Sequence, residues 1–489
     1  MYIIIKMNYE QIQLYPFQLD SFNFMNERLD KQFSIMNVSP TGAGKTVTIL
    51  AIAAYRQLIP FVVAPAGIEE TWKDELTRYG FTTYHFMSYS KLGGKKEMIN
   101  HPYLTKSGKV YYATDYLRQL IQYGILIILD ESHLAKNAKS NNLHACHTLT
   151  RTVMETASRS RIVLMSATPY DKVHFSESML KMLGIVYDEK MYIYDKVEQK
   201  YIYQGIKELI HTCKQVDKSQ TDIILSKYSQ MTNKTIPNIC HLLFVNVIKP
   251  LYVSRIDPVF PTQILAYNGF YKVSPETQVK LSKIVGRIKD ITGYNNGHVS
   301  GKIDYGELNI ALHELERAKM EIAYRVIYSL LSSSPNTKVI LYLRYHDTTE
   351  MMLTWLGQFR PLLLNGQIAP KKRAKVVKLF QEPNDKCRLI IGHPVAGGAG
   401  LSLDDRDGNW PRVMFIMPDY RLLETTQAMG RIRRVTSRSN GLVMFFYSIG
   451  QRVEANIMRS LMDKTAIVRD VIDESDIKIT GELEPWVEQ

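Results

Sequence analysis

Two short stretches of this 489-residue chain combine residue types suited to phosphate and metal chemistry. In ILIILDESHLAKN (125–137) five aliphatic residues read as a strand buried on both faces, yet it ends in two acids, Asp130 and Glu131. An uncompensated buried charge costs several kcal/mol. The pair therefore either sits in solvent at the strand's exposed end or faces a metal ion and a water molecule. In SPTGAGKTVTIL (39–50) a glycine-rich turn separates a strand from the helix-forming run AIAAYRQL. Such a turn aims successive backbone N–H groups, and the positive end of the helix, at a phosphate. Lys45 is then placed to reach β- and γ-phosphates, and the Thr46 hydroxyl to ligate Mg²⁺. The pattern GxxxxGK[ST] asks for glycine where this chain has Ser39; Gly42 and Gly44 supply the tight turn regardless. Beside such a turn the acidic pair reads as its complement. Asp130 would hold Mg²⁺, directly or through water, and Glu131 would orient and deprotonate the attacking water.

Both stretches need a sheet to position them. FSIMNVSP (33–40), PFVVAPA (60–66), GILIILD (124–130) and RIVLMSAT (161–168) read as strands with polar, Gly or Pro residues at their C-terminal ends. KVILYLRY (338–345), CRLIIGHP (387–394), PRVMFIMP (411–418) and GLVMFFYS (441–448) repeat the habit. Strands alternating with helices imply parallel sheets covered on both faces, with ligands at the strands' carboxyl ends. We expect two α/β lobes, 1–170 and 320–470, a mostly helical insertion over 171–319, and a tail, 471–489. ALHELERAKMEIAYRVIYSLL (311–331) reads as one amphipathic helix leading into the second lobe, ended by SSSPN, and ELEPWVEQ reads as an acidic tail.

Lys plus Arg number 61 against 48 for Asp plus Glu, leaving +13 with His neutral. That excess suggests a polyanionic partner, nucleic acid first, although a generally basic surface has the same sum. Four scattered cysteines without a CxxC pair form no zinc site or disulfide framework, so a reducing compartment is expected. No apolar run is long enough to span a membrane, and the short Ile run in MYIIIKMNYE is no signal-peptide core. The expected location is intracellular, in cytoplasm or nucleus.

TGAGKT, DESH, SAT and QAMGRIRR occur in the order found in superfamily 2 helicases and translocases. The chain resembles that superfamily over most of its length outside the middle insertion and tail. Further stretches are similar to its Swi/Snf-like, DExH-type branch. These are LYPFQLDSF (14–22), VVAPAGIEETWKDEL (62–76) with its Trp72 and Glu75, DESHLAKN with Lys136 and Asn137, LNGQIAPKKRAKVVKLFQ (364–381) and VAGGAGLSL (395–403). The resemblance implies two RecA-like P-loop lobes using ATP and Mg²⁺, with the nucleotide in a cleft between them. It assigns adenine to Gln18, the phosphates to Thr41, Gly42, Ala43, Gly44, Lys45 and Thr46, and the metal to Thr46 and Asp130. Catalysis falls to Lys45, Asp130, Glu131, Gln427, Arg431 and Arg434. The last two are spaced to share one helix face and point at the triphosphate, or else belong to a surface basic helix. Coupling falls to His133, Ser166 and Thr168, a merely packed histidine being the alternative for His133. Nucleic-acid contact falls to Pro65, Ala66, Gly67, Ser88, Gly398 and Gly400.

The departures from the family pattern matter. SATP (166–169) is the helicase form where many Swi/Snf-type proteins carry GTP, which leaves open whether strands are separated. DEAD, PTREL and HRxGR are absent, so the DEAD-box RNA subfamily fits less well. The Asn, Ile, Lys and Tyr-rich composition resembles helicases of large DNA viruses, in which case a virion is a further location. KKRAKVVK (371–378) and RIRRVTSR (431–438) could meet phosphates, the first being equally an ordinary solvated helix face. The expectation is an ATP-dependent nucleic-acid motor, on DNA more than RNA, with protein partners possible through 171–319. An RNA helicase and a nucleic-acid-binding scaffold without turnover are the alternatives.

Overall fold

The structure, a computed structural model, describes residues 12–94, 101–170, 172–187, 190–195, 197–256, 258–295, 298–299, 303–394, 401–448, 452–464 and 479–486. These fall into two compact units that divide between Pro258 and Val259. Each unit is built on one parallel sheet, with helices between successive strands.

The first sheet comprises β1 (Ser34–Asn37), β2 (Ile59–Ala64), β3 (His85–Ser88), β4 (Ile125–Asp130), β5 (Arg161–Met165) and β6 (Val253–Ser254). Their spatial order is β6-β1-β5-β4-β2-β3, every neighbouring pair parallel. All of β4 is buried. Each large aliphatic side chain buried there contributes about 1.5–3 kcal/mol, which favours an unbroken Ile/Leu run at the sheet's centre. Asn37 of β1 and Asp130 of β4 both pair with Met165 of β5. The loops after these three strands therefore leave the sheet at one level.

The second sheet comprises β7 (Ile264–Tyr271), β8 (Lys338–Tyr342), β9 (Leu362–Leu364), β10 (Leu389–Gly392), β11 (Arg412–Ile416), β12 (Gly441–Ser448) and β13 (Ile479–Trp486). The order is β9-β10-β8-β11-β12-β7-β13, again all parallel. Alternation along β8 serves two cores. Ile340 and Tyr342 pack with Phe380, Met429 and Ile432, while Val339 and Leu341 pack with Met320, Ile327 and Met352 on the other face.

All eight strands expected from sequence are present, and within the two sheets β3, β6, β7, β9 and β13 are additional. The segment set apart as one insertion contributes to both units: β6 closes the first sheet and β7 joins the second. Within the expected tail, β13 pairs with β7. The helix expected over 311–331 is two, Tyr305–Ala318 and Met320–Ser333. The break at Lys319 sends its ammonium into the interior, where it donates to the Phe446 carbonyl (3.0 Å) and pairs with the buried Glu454. In the first unit a small hairpin, Ile193–Asp195 with Lys200–Ile202, carries Tyr192, Tyr194, Tyr201 and Tyr203 with ring centroids 5.0 to 6.4 Å apart. Among the described residues no helix is long and apolar enough to cross a membrane.

Candidate active site

After β1 the chain turns at Gly42 (φ 93°) and Gly44 (φ 78°) before helix α2 (Lys45–Tyr55) begins. L side chains rarely take such angles. At Gly44 the space is also taken, because a Cβ there would lie 2.2 Å from Nε2 of Gln18. Gln18 is buried in the first turn of α1 (Pro16–Lys31). Its Nε2 donates to the carbonyls of Ala43 (3.1 Å) and Gly44 (3.4 Å), and its Oε1 accepts the Tyr15 N–H (2.9 Å). Lys45 Nζ donates to the carbonyls of Ser39 (2.8 Å) and Pro40 (3.2 Å), folding the ammonium over the loop that a phosphate would fill. Ser39 departs from the glycine pattern for a visible reason. Its buried hydroxyl accepts the N–H of Ile256 (2.8 Å), tying the loop to the chain just beyond β6.

At the end of β4, Asp130 is buried with few partners. Oδ2 accepts the Trp72 indole N–H (2.9 Å) and Oδ1 accepts the Glu131 N–H (3.0 Å). Burial, and then the neighbouring Glu131 charge, push its pKa up to about 7 against the Trp72 bond and the Lys45 charge. A cation would offset that burial, so the Asp130 carboxylate and the half-buried Thr46 hydroxyl fit a divalent ion. No cluster of three or more His, Cys, Asp or Glu suited to a metal exists among the described residues.

Glu131 has left-handed backbone angles (φ 54°, ψ 49°), a conformation costing a non-glycine residue about 1–3 kcal/mol and concentrated at functional sites. Its carboxylate lies 3.3 Å from His133 Nδ1, which lies 3.1 Å from Ser166 Oγ. That hydroxyl accepts the Thr168 N–H (3.3 Å). The three coupling candidates thus form one polar chain from the end of β4 to the end of β5.

Other candidates are placed differently. Pro65, Ala66 and Gly67 follow β2 into a turn that leads to helix α3 (Glu69–Arg78), with Ala66 exposed. Ser88 is buried, and its hydroxyl caps the short helix Tyr89–Gly93 by accepting the Lys91 N–H (3.3 Å). Gln427 lies half-buried on the helix Leu422–Met429. That helix ends before the arginines. Arg431 sits in the turn Gly430–Ile432 and Arg433 is extended, so Arg431 and Arg434 share no helix face as their spacing suggested. The turn lets Met429 and Ile432 both reach the sheet core. Arg431 is buried and donates to the Tyr342 hydroxyl (3.1 Å). Arg434 donates to Ser402 Oγ (3.1 Å) and to the carbonyls of Leu401 (2.8 Å) and Gly430 (3.0 Å). Gly398 and Gly400 lie outside the described residues.

Two contributors have no signal of their own in the sequence. Trp72 belongs to a motif, but nothing in that motif says that its indole holds Asp130. Tyr89 has a buried hydroxyl with no hydrogen-bond partner among the described residues. Burial pushes that hydroxyl well above the usual tyrosine range, with added contributions from Cys146, Asp130 and Glu131.

Residues 4–171 match the family described as Type III restriction enzyme, res subunit, and residues 318–436 match the helicase conserved C-terminal domain. A protein of Acanthamoeba polyphaga mimivirus, provisionally named an ATP-dependent RNA helicase, is 23% identical over 497 aligned positions, covering 95% of this chain and 85% of that one. The DNA repair and recombination protein RAD54-like is 23% identical in Drosophila persimilis and 24% in Gallus gallus, over 95% and 84% of this chain. The alignments span 64% and 59% of those proteins, so this chain matches about three fifths of their length. The SWI2/SNF2 ATPase core of Sulfolobus solfataricus in complex with dsDNA aligns over 97% of this chain and 100% of that one, at 16% identity and a TM-score of 0.34. That likeness is too loose to bear on function.

Proposed function

We propose that the chain is a superfamily 2 helicase-type protein of the Swi/Snf-like branch, an ATP-driven motor working on DNA. The observation that carries this reading is the placing of the glycine loop after β1 and of Asp130–Glu131 after β4, on either side of β5 and level in register.

ATP is the substrate. The N–H groups of residues 41–46 and the Lys45 ammonium bind its phosphates, Lys45 giving up the Ser39 and Pro40 carbonyls to do so. Gln18 borders the base. Thr46 and Asp130 would hold Mg²⁺, which would neutralise charge on the phosphates. Trp72 fixes the orientation of Asp130. Glu131, on its constrained backbone, orients the attacking water and takes its proton. His133, Ser166 and Thr168 pass a change at Glu131 to the neighbouring strand end, because each shares a hydrogen bond with the next. In the second unit Gln427, Arg431 and Arg434 serve the developing phosphoryl charge, for which a planar guanidinium is suited. The turn at Pro65–Gly67, and residues Gly398 and Gly400, contact nucleic-acid backbone. Ser88 serves there through its position at a strand end, its hydroxyl being used within the protein. A net charge of +13 supports a polyanionic track. Cytoplasm or nucleus is the proposed location, and residues 171–319 the proposed region of partner choice.

The test is steady-state ATPase activity without nucleic acid, then with duplex DNA, single-stranded DNA and single-stranded RNA at one fixed salt. Strong stimulation by duplex DNA is the expected result. Stimulation by RNA alone would favour an RNA helicase, the reading that the name of the mimivirus relative favours. No turnover with any of them would sink the motor.

A further inference from the structure

Tyr89 is 3% exposed, and its hydroxyl has no hydrogen-bond partner among the described residues. A buried polar group left in that way is destabilising. Phenylalanine would fill the same space without the penalty, so the hydroxyl points to a partner met in another state. Slack in the chain does not account for it, because the short helix Tyr89–Gly93 is held at both ends. Ser88 Oγ accepts the Lys91 N–H (3.3 Å), the Gly93 carbonyl accepts the Tyr111 hydroxyl, and the Gly94 carbonyl accepts Asn141 Nδ2 (3.3 Å). A Cβ on Gly93 would lie 2.9 Å from Asn142 Oδ1, so this turn is pressed against the start of the helix Asn141–Glu155.

Sheet register brings Tyr89 close to the acidic strand end. β2 lies between β3 and β4, with Ala64 paired to Ser88 and Val63 to Leu129. Ser88 is therefore level with Asp130, two strand spacings away, or about 9–10 Å. Tyr89 leaves the sheet one residue later, and a tyrosine side chain spans most of such a gap. The charges of Asp130 and Glu131 both act on its hydroxyl. Asp130 also has an acceptor position to offer. A carboxylate has about four of them; the Trp72 indole and the Glu131 N–H fill two, and a divalent ion would take a third.

We propose that Tyr89 is a positioning residue for Asp130, its hydroxyl donating to that carboxylate once a divalent cation holds it ionised. The inference rests on the reading of Asp130 as the metal ligand of an ATP site. A charged acceptor makes a hydrogen bond roughly twice as strong as a neutral one, and carboxylates that hold metals are themselves oriented by hydrogen bonds. The lone hydroxyl thus destabilises the metal-free chain and favours the loaded one.

The test compares Tyr89→Phe with wild type, using the full chain throughout. Without nucleotide or metal, the variant should melt at an equal or higher temperature by differential scanning calorimetry. Calorimetric binding of ADP in the presence of EDTA should be unchanged, while binding of ADP with Mg²⁺ should weaken by about tenfold, as for loss of a hydrogen bond to a charged group. A lower melting temperature for the variant would overturn the proposal, because the hydroxyl would then be partnered in the metal-free chain. So would equal affinities for ADP with Mg²⁺, or the same weakening with and without the metal. Slower turnover at unchanged affinity for ADP with Mg²⁺ would overturn it too, since the hydroxyl would then act on Glu131. Wild-type protein that binds ADP equally well with and without Mg²⁺ would overturn the metal assignment and this proposal with it. Wild-type protein that hydrolyses no ATP with any nucleic acid would sink the motor, while the binding results would still decide the role of Tyr89.

Discussion

Among the described residues, Asp130 in the first unit is buried with an indole and a backbone N–H for hydrogen-bond partners, whereas Arg431 and Arg434 in the second already hold a tyrosine hydroxyl and three other protein oxygens. The difference lies in what each unit lacks. Around Asp130 positive charge is short, so burial pushes its pKa up to about 7 and the site itself favours a cation. Arg434 already has three oxygen acceptors, and Arg431 has the Tyr342 hydroxyl. Acting on a phosphate would require them to exchange internal hydrogen bonds, each with a net contribution of about 0.5–1.5 kcal/mol.

The sharpest way to break this contrast is Glu131→Gln. It should lower stimulated ATP turnover by roughly 1,000-fold while ATP binding, measured by calorimetry, persists. Turnover near wild type would remove the general base from the first unit. Next in size, Arg434→Ala should cost about 100-fold in stimulated turnover. Tyr342→Phe, which deletes the Arg431 hydroxyl partner, should stay within about threefold if that arginine exchanges partners during turnover. A large loss from Tyr342→Phe would mean that the buried arrangement is itself the working one. Trp72→Phe should lower turnover about tenfold by releasing Asp130; no change would show that the backbone alone positions the carboxylate. The smallest effect is expected from Ser39→Gly, which restores the motif glycine but deletes the acceptor for Ile256. The melting temperature should fall by about 2–4 °C, with turnover little changed, by differential scanning calorimetry.

Much of the site was legible because its residues are local. The glycine loop, the acidic strand end and the SAT turn each follow a strand of unbroken aliphatic residues, and such strands announce themselves. Less regular strands did not. Ile264–Tyr271 contains Asn268 and Gly269, and Val253–Ser254 is two residues long, so neither shows an alternation to recognise. Helix limits failed for a related reason. The 311–331 run has helical spacing throughout, but a buried ion pair with Glu454 fixes the break at Lys319, and Glu454 is far along the chain. The Arg431/Arg434 argument failed likewise, because the sheet core demanded a turn where spacing alone implied one more helical step.

By itself the sequence determined that two parallel α/β sheets exist, that one carries a phosphate loop and an acidic strand end, and which superfamily that combination resembles. Those features depend on residues within a dozen positions of one another, where periodicity and turn chemistry act directly. Only the tertiary structure decided that Ser39 braces the loop against Ile256, that Trp72 holds Asp130, and that Arg431 rests on Tyr342. Each of these joins groups from separate strands or helices, and the register of the sheet, which no local pattern encodes, sets which of them meet.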